Sequence, residues 1–200
     1  MSGPSSSAVV ADALHAASAL HARVAALDAG PLLAASAHMA RTLKRGGRVL
    51  VFGNGGSAAE SQHFAAELVG RFARERRAVG AIALTTDTSI LTALANDYAF
   101  ERIFARQVEA LGQPGDVALG ISTSGDSPNV LHGLAAASTR GLTTVGLTGR
   151  DGGAMKSKVD FHINVPDSVT ARVQEVQLTL LHVMCELIER DLVAEGPAEA

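Results

Sequence analysis

The chain has 200 residues, a net charge of −3 and a pI near 6.1, and 47% of its side chains are hydrophobic but only 4% aromatic. This length and composition exclude a largely disordered chain and predict a single domain over residues 1–200, with a core of Ala, Val, Leu and Ile. The weak negative charge disfavours nucleic acid and membrane surfaces as partners.

The ends of the chain and its cysteine content indicate where the protein works. Residues 1–7 and 195–200 are small and polar, and we predict that they are disordered. Cys185 is the one cysteine and cannot form an internal disulfide. The N-terminus lacks a cationic segment followed by an apolar one, and no apolar stretch is long enough to span a bilayer. We therefore expect a cytoplasmic protein.

Short apolar runs alternate with helical patterns along most of the chain. Two helices are predicted first, over 8–27 and 31–44. Strands are then predicted at 48–52, 81–84, 116–121, 143–147 and 161–165. Helices are predicted between them and after them, at 58–73, at 89–111 with a break near Asn96-Asp97, at 129–139 and at 170–193. This alternation predicts a three-layer α/β/α sandwich around a five-stranded parallel sheet.

The first predicted strand runs into a glycine-rich loop and then into a helix. The loop reads Gly53-Asn54-Gly55-Gly56-Ser57-Ala58, and the free amides of a helix N-terminus favour an anion there. The glycine spacing also fits a loosened dinucleotide fingerprint. However, the acidic residue expected about twenty residues later is missing, and no lysine follows as in a P-loop. We therefore expect no nucleotide cofactor.

The third predicted strand ends in a loop rich in hydroxyl groups. Its sequence is Ser122-Thr123-Ser124-Gly125-Asp126-Ser127-Pro128, again directly before a helix. Hydroxyls and amides without a lysine suit a phosphate monoester better than a triphosphate, which would require a metal ion. In the alternative interpretation, Ser127 is an ordinary N-cap and Pro128 the first helical residue.

Polar residues on two of the predicted helices have the chemistry of acid/base catalysis. His63 and Glu67 are four residues apart and share a helix face, while Gln174 and His182 lie on the last helix. A carboxylate and an imidazole can move a proton between C1 and C2 of a sugar through an enediol. A structural role for either histidine stays open, because buried histidines are often hydrogen-bonded core residues.

Taken together, these motifs resemble the SIS (sugar isomerase) family in its phosphoheptose isomerase branch. The resemblance runs from the second predicted helix to the last. The residues that carry it are Gly53-Asn54-Gly55-Gly56-Ser57-Ala58, Gln62-His63, Glu67, Leu84-Thr85-Thr86-Asp87, Ala95-Asn96-Asp97, Ile121-Ser122-Thr123-Ser124-Gly125 and Leu147-Thr148-Gly149.

The resemblance implies an isomerase that converts sedoheptulose 7-phosphate to D-glycero-D-manno-heptose 7-phosphate, with Glu67 and His182 as the acid/base pair. Some family members bind zinc at positions that match His63, Glu67, Gln174 and His182, which implies one zinc ion per subunit. The family also implies a homotetramer with active sites at subunit interfaces. The implied substrate contacts are Asn54, Gly55, Gly56, Ser57, Glu67, Asn96, Asp97, Ser122, Thr123, Ser124, Ser127 and Gln174.

Three departures from the family pattern leave alternatives open. Glu60, Val169 and Gln177 stand where the family often has Asp, Asp and His, so the sugar stereochemistry is open and another ketose phosphate is an alternative substrate. Asn96 and Asp97 also suit an ordinary turn. A non-catalytic SIS protein that binds sugar phosphates or regulates a partner is the other alternative. The presence of both Glu67 and His182 favours the enzyme.

Overall fold

A five-stranded sheet forms the centre of the protein in a computed structural model that describes residues 4–194. All neighbouring strands are parallel, in the order β2-β1-β3-β4-β5. The strands are β1 Arg48–Gly53, β2 Gly80–Ala83, β3 Val117–Ser122, β4 Thr143–Gly149 and β5 Phe161–Val165. The helices are α1 Ser6–Ala25, α2 Gly30–Lys44, α3 Gly56–Val69, α4 Thr88–Asp97, α5 Ile103–Leu111, α6 Pro128–Thr139 and α7 Thr170–Val193.

The sheet is buried on both faces, which confirms the predicted three-layer sandwich. Along β1, Val49 and Val51 pack into a core shared with α2, α3 and α7, while Leu50 and Phe52 pack against α5 and α6 on the opposite face. Successive side chains of a strand point to opposite faces, so a strand covered twice is apolar throughout. No helix within residues 4–194 is long and apolar enough to cross a membrane.

Helix α1 lies outside this sandwich and packs against α7. Leu20 is its one buried residue and joins a small cluster with Val173 and Val176. The helix begins at Ser6, because the Ser5 side chain accepts a hydrogen bond from the amide of Ala8 (3.3 Å). Residues 6 and 7 are therefore helical and not disordered as predicted. Residues 1–3 and the tail 195–200 lie outside the described part of the chain.

Two predicted helices differ from the observed ones. The helix predicted over 58–73 ends at Val69, and 70–79 is irregular because Glu189 of α7 binds the amides of this segment. The helix predicted over 89–111 is divided into α4, a short 3-10 turn at Phe100–Arg102 and α5. The break was expected near Asn96-Asp97 and falls immediately after it, at Tyr98.

The strand order places two loops side by side at one edge of the sheet. Strands β1 and β3 are neighbours, yet the helix that follows β1 (α3) covers one face and the helix that follows β3 (α6) covers the other. A crevice therefore opens between the carboxyl ends of β1 and β3. In open parallel sheets such a point of reversal is where ligands bind.

Candidate active site

Two helix N-termini face this crevice without a side-chain cap. Helix α3 follows Gly55, which has a positive φ of 56°, and α6 follows Ser127. Neither helix receives a side-chain cap from the described residues. The positive ends of both helix dipoles thus face the crevice and favour an anion there. The amides of Ser57 and Ala58 already bond to the carbonyls of Asn54 and Gly55, and the amide of Val130 bonds to Oδ1 of Asn129.

The hydroxyl groups of the second loop are bonded to one another. Ser122 Oγ lies 2.9 Å from Ser127 Oγ and 3.3 Å from Ser124 Oγ, and it accepts a hydrogen bond from the amide of Gly125 (3.2 Å). Ser127 occupies the N-cap position of α6, but its hydroxyl contacts Ser122 in place of a helix amide. The geometry therefore disfavours an ordinary N-cap role for Ser127.

A pair of asparagines joins the two loops. The side-chain amides of Asn54 and Asn129 donate to each other's carbonyl oxygens, at 2.9 and 2.8 Å. Asn129 is buried and was missed by the sequence analysis, although an asparagine directly after the hydroxyl-rich loop and Pro128 was a usable signal. This reciprocal pair fixes the orientation of Asn54 at the crevice.

Gln174, near the start of α7, lies directly over the first loop. A Cβ atom at Gly56 would overlap the side-chain amide of Gln174, so any larger residue there would displace this side chain. Gln174 is therefore positioned at the crevice, beside the N-terminus of α3.

Further along the same two helices, His63, Glu67 and His182 meet. The Nε2 atoms of His63 and His182 are 2.8 Å apart, so the N–H of one ring donates a hydrogen bond to the nitrogen of the other. The Oε1 atom of Glu67 is 3.6 Å from Nε2 of His63. The structure thus brings together both predicted acid/base residues, with His63 between them.

Three of the four expected zinc ligands converge in this cluster, and Gln174 does not join them. Gln174 is eight residues from His182 on α7, a rise of about 12 Å along the helix axis. Zinc accepts imidazole nitrogen and carboxylate oxygen, so the donor set of His63, Glu67 and His182 fits it chemically. The two Nε2 atoms are closer than the roughly 3.3 Å between two ligands of tetrahedral zinc. Accordingly, no group of three or more His, Cys, Asp and Glu side chains in residues 4–194 has the arrangement of a ready metal centre.

The crevice and the histidine cluster are far apart within one subunit. Ser57 and Glu67 are ten residues apart on α3, which corresponds to about 15 Å. Asn96 and Asp97 lie exposed at the end of α4 and hydrogen-bond to each other (2.9 Å). Among the described residues, neither makes a hydrogen bond to the loops after β1 and β3.

Two buried polar side chains between these groups have atoms that find no hydrogen-bond partner in residues 4–194. Glu60 on α3 is 8% exposed, and its Oε2 atom has no hydrogen-bond partner among the described residues. Burial raises its pKa to about 7, although a hydrogen bond with Ser57 acts in the opposite direction. Both amide atoms of Gln177, which is fully buried, likewise lack partners in the described part of the chain.

Comparison with known families identifies the class of this protein. The SIS domain family matches residues 13–149, which include the two loops, α3 and the central strands. The chain is therefore a SIS-domain protein.

Relatives that align over most or nearly all of the chain narrow the class. The chain is 51% identical to a phosphoheptose isomerase of Roseiflexus sp. over 98% of its own length and 100% of the relative. It is 60% identical to a phosphoheptose isomerase of Aquifex aeolicus over 78% of this chain and 82% of the relative. The solved phosphoheptose isomerase from Neisseria gonorrhoeae has 42% identity and a TM-score of 0.88, with 93% of this chain and 100% of that chain covered. The chain belongs to the phosphoheptose isomerase family.

Proposed function

We propose that the protein interconverts sedoheptulose 7-phosphate and D-glycero-D-manno-heptose 7-phosphate. The observation that carries the proposal is the meeting of His63, Glu67 and His182 on two helices whose N-terminal ends border a phosphate-type crevice. Relatives with this family name at 51–60% identity support the choice of a heptose phosphate.

In this reaction the protein binds one end of the sugar and moves protons at the other. The phosphate is held by the amides at the starts of α3 and α6 and by the loop hydroxyls of Ser57, Ser122, Thr123, Ser124 and Ser127. Asn54, Gly55, Gly56 and Gln174 contact the sugar at the crevice, and Asn96 and Asp97 bind its hydroxyls.

Glu67 and His182 perform the proton transfers. The Glu67 carboxylate removes the proton from one carbon and returns it to the neighbouring carbon, while His182 exchanges protons with the two oxygens. His63 contacts both groups and fixes the orientation of the His182 ring. His63, Glu67 and His182 would hold a zinc ion, which would supply polarisation of the sugar carbonyl.

We further propose that each active site is shared between subunits of a homotetramer in the cytoplasm. A seven-carbon sugar phosphate spans about 10 Å from C1 to phosphorus when extended at ordinary bond lengths. This is shorter than the roughly 15 Å between Ser57 and Glu67 of one chain, so the phosphate loops of one subunit would face the acid/base cluster of another. Two observations support such an assembly. Apolar side chains on α1, among them Val10 and Leu14, are exposed. Helix α4 has no buried residue within the described chain.

The proposal is tested by incubating the protein with sedoheptulose 7-phosphate in D₂O and following the sugar by NMR. We expect an aldoheptose 7-phosphate that carries deuterium at the carbon where the proton was exchanged. Glu67→Gln removes the base but keeps the side-chain volume, and we expect it to lower kcat by about 10²–10⁴-fold.

Two additions to this assay separate the alternatives. A chelator that abolishes turnover would support a catalytic zinc, and unchanged turnover would exclude a metal from the chemistry. If neither sedoheptulose 7-phosphate nor other ketose phosphates are converted, while inorganic phosphate still binds the folded protein, the non-catalytic sugar-phosphate-binding alternative replaces the enzyme.

A further inference from the structure

The irregular segment 70–79 is anchored to α7 by one buried carboxylate. Glu189, which is 2% exposed, accepts hydrogen bonds from the successive amides of Phe72 (3.0 Å), Ala73 (2.9 Å) and Arg74 (2.8 Å). Burial alone would raise the pKa of Glu189, but these amides and Arg76 outweigh burial and hold the pKa below its usual value. The carboxylate is therefore ionised and fully engaged at neutral pH.

Arg76 neutralises this carboxylate and holds the end of α3. Its Nε atom lies 3.5 Å from Glu189 Oε1, and both side chains are 3% exposed. Its Nη2 atom donates to the carbonyl of Glu67 (2.8 Å), and its Nη1 atom donates to the carbonyl of Gly70 (3.3 Å). Arg76 thus binds the backbone of the same residue whose side chain is the proposed base.

The anchored segment also touches the second acid/base residue. The ring centroids of Phe72 and His182 are 5.7 Å apart. This contact is separate from the one between His182 Nε2 and His63 Nε2. Glu189 follows His182 by two turns on α7. One buried ion pair is therefore connected to Glu67 through a backbone carbonyl and to His182 through the Phe72 ring.

We propose that Glu189 and Arg76 are positioning residues that set the distance between Glu67 and His182. The physical reason is that His63 and Glu67 lie on α3 whereas His182 lies on α7. The contact between the two Nε2 atoms therefore depends on how the C-terminal halves of these helices are held against each other. Because Glu189 and Arg76 lie away from the crevice, the pair governs proton transfer and leaves phosphate binding unchanged. The effect on turnover rests on the proposed isomerase function.

The main test compares Glu189→Gln with Glu186→Gln, an exposed glutamate one turn earlier on the same helix. For Glu189→Gln we expect kcat to fall at least tenfold, KM to change less than threefold and inorganic phosphate to bind as in the unsubstituted protein. Glu186→Gln should match the unsubstituted protein in kcat, in KM and in phosphate binding. A Glu189→Gln protein that loses thermal stability but keeps its kcat would show that the ion pair is only structural.

Glu189→Gln leaves the buried charge of Arg76 without its carboxylate, and this could prevent folding. A second variant covers that case. The double variant Glu189→Gln/Arg76→Met removes both buried charges, and we expect it to fold with a kcat that stays low. Recovery of the original kcat in this double variant would overturn the proposal.

A spectroscopic readout makes the test independent of turnover. The ¹⁵N shifts of the His182 imidazole report its contact with His63. We expect these shifts to change in the Glu189 variants and to stay fixed in Glu186→Gln. If the protein isomerises no sugar but the shifts respond in this way, the proposed function fails and the positioning role stands. Unchanged shifts in a folded Glu189 variant would reject the positioning role.

Discussion

Glu60 is a buried acid whose protonation is coupled to folding. Its pKa is about 7 in the folded chain, against 4.5 in the unfolded reference, and the cause is burial. The folded state therefore binds the proton more tightly, and the contribution of Glu60 to the free energy of unfolding falls as the pH rises from about 4.5 to 7 and levels off above that range. The pKa shift of Glu60 corresponds to a loss of up to about 3 kcal/mol in the free energy of unfolding at pH 8.

Glu60→Gln tests this coupling, because a glutamine can still accept the hydrogen bond from Ser57 and carries no charge. We expect the variant and the original protein to differ little at pH 4.5, and the variant to be more stable by about 1–3 kcal/mol at pH 8. Urea unfolding at a series of pH values measures the difference. A stability difference that does not change with pH would mean that Glu60 keeps an ordinary pKa.

At the scale of elements, the loop between β3 and α6 depends on a glycine whose replacement would place a Cβ atom against backbone. Gly125 has a φ of 74°, and a Cβ atom there would overlap the carbonyl of Gly152. Gly46, after α2, has a similar φ of 82° but open space around its Cα. The two glycines share backbone strain and differ in steric overlap.

We expect Gly46→Ala to cost about 1–2 kcal/mol, the strain of a left-handed alanine. Gly125→Ala should cost roughly 1–3 kcal/mol more, because backbone atoms must move to relieve the overlap. It should also weaken phosphate binding, since Ser122 and Ser124 bond the loop at this turn. Thermal unfolding and phosphate titration check both effects, and equal losses in the two variants would contradict the steric argument.

For the molecule as a whole, helix α1 carries apolar side chains that a single subunit leaves exposed. Val10 is 59% and Leu14 66% exposed, and contiguous apolar surface of this kind usually marks an interface. We expect Leu14→Glu to shift the protein to smaller assemblies. Light scattering after size-exclusion chromatography would measure the mass.

A matched control places the same charge on the opposite layer, at the exposed Ala135 of α6. Ala135→Glu should leave the mass unchanged. Because the proposed active site is shared between subunits, the smaller Leu14→Glu species should also lose turnover. Full activity in a monomeric variant would show that one chain is sufficient for the reaction.

The sequence by itself determined the sheet, the order of most elements and the two glycine- and hydroxyl-rich loops at the ends of β1 and β3. These features depend on local patterns: apolar strands covered twice, helical spacing, and glycine or hydroxyl residues at a strand end. The end of α3 was misplaced, because the segment after Val69 is ordered by Glu189, more than a hundred residues later.

Only the tertiary structure decided which predicted site residues meet. His63 and His182 come into contact across 119 positions of sequence, while Gln174 and His182, on one helix, are held apart by its rigid rise. The Asn54–Asn129 pair, the unpartnered oxygen of Glu60 and the Arg76–Glu189 ion pair were not predicted either. Local pattern fixes the face of a helix on which a side chain lies, but the packing of one helix against another determines what that side chain touches.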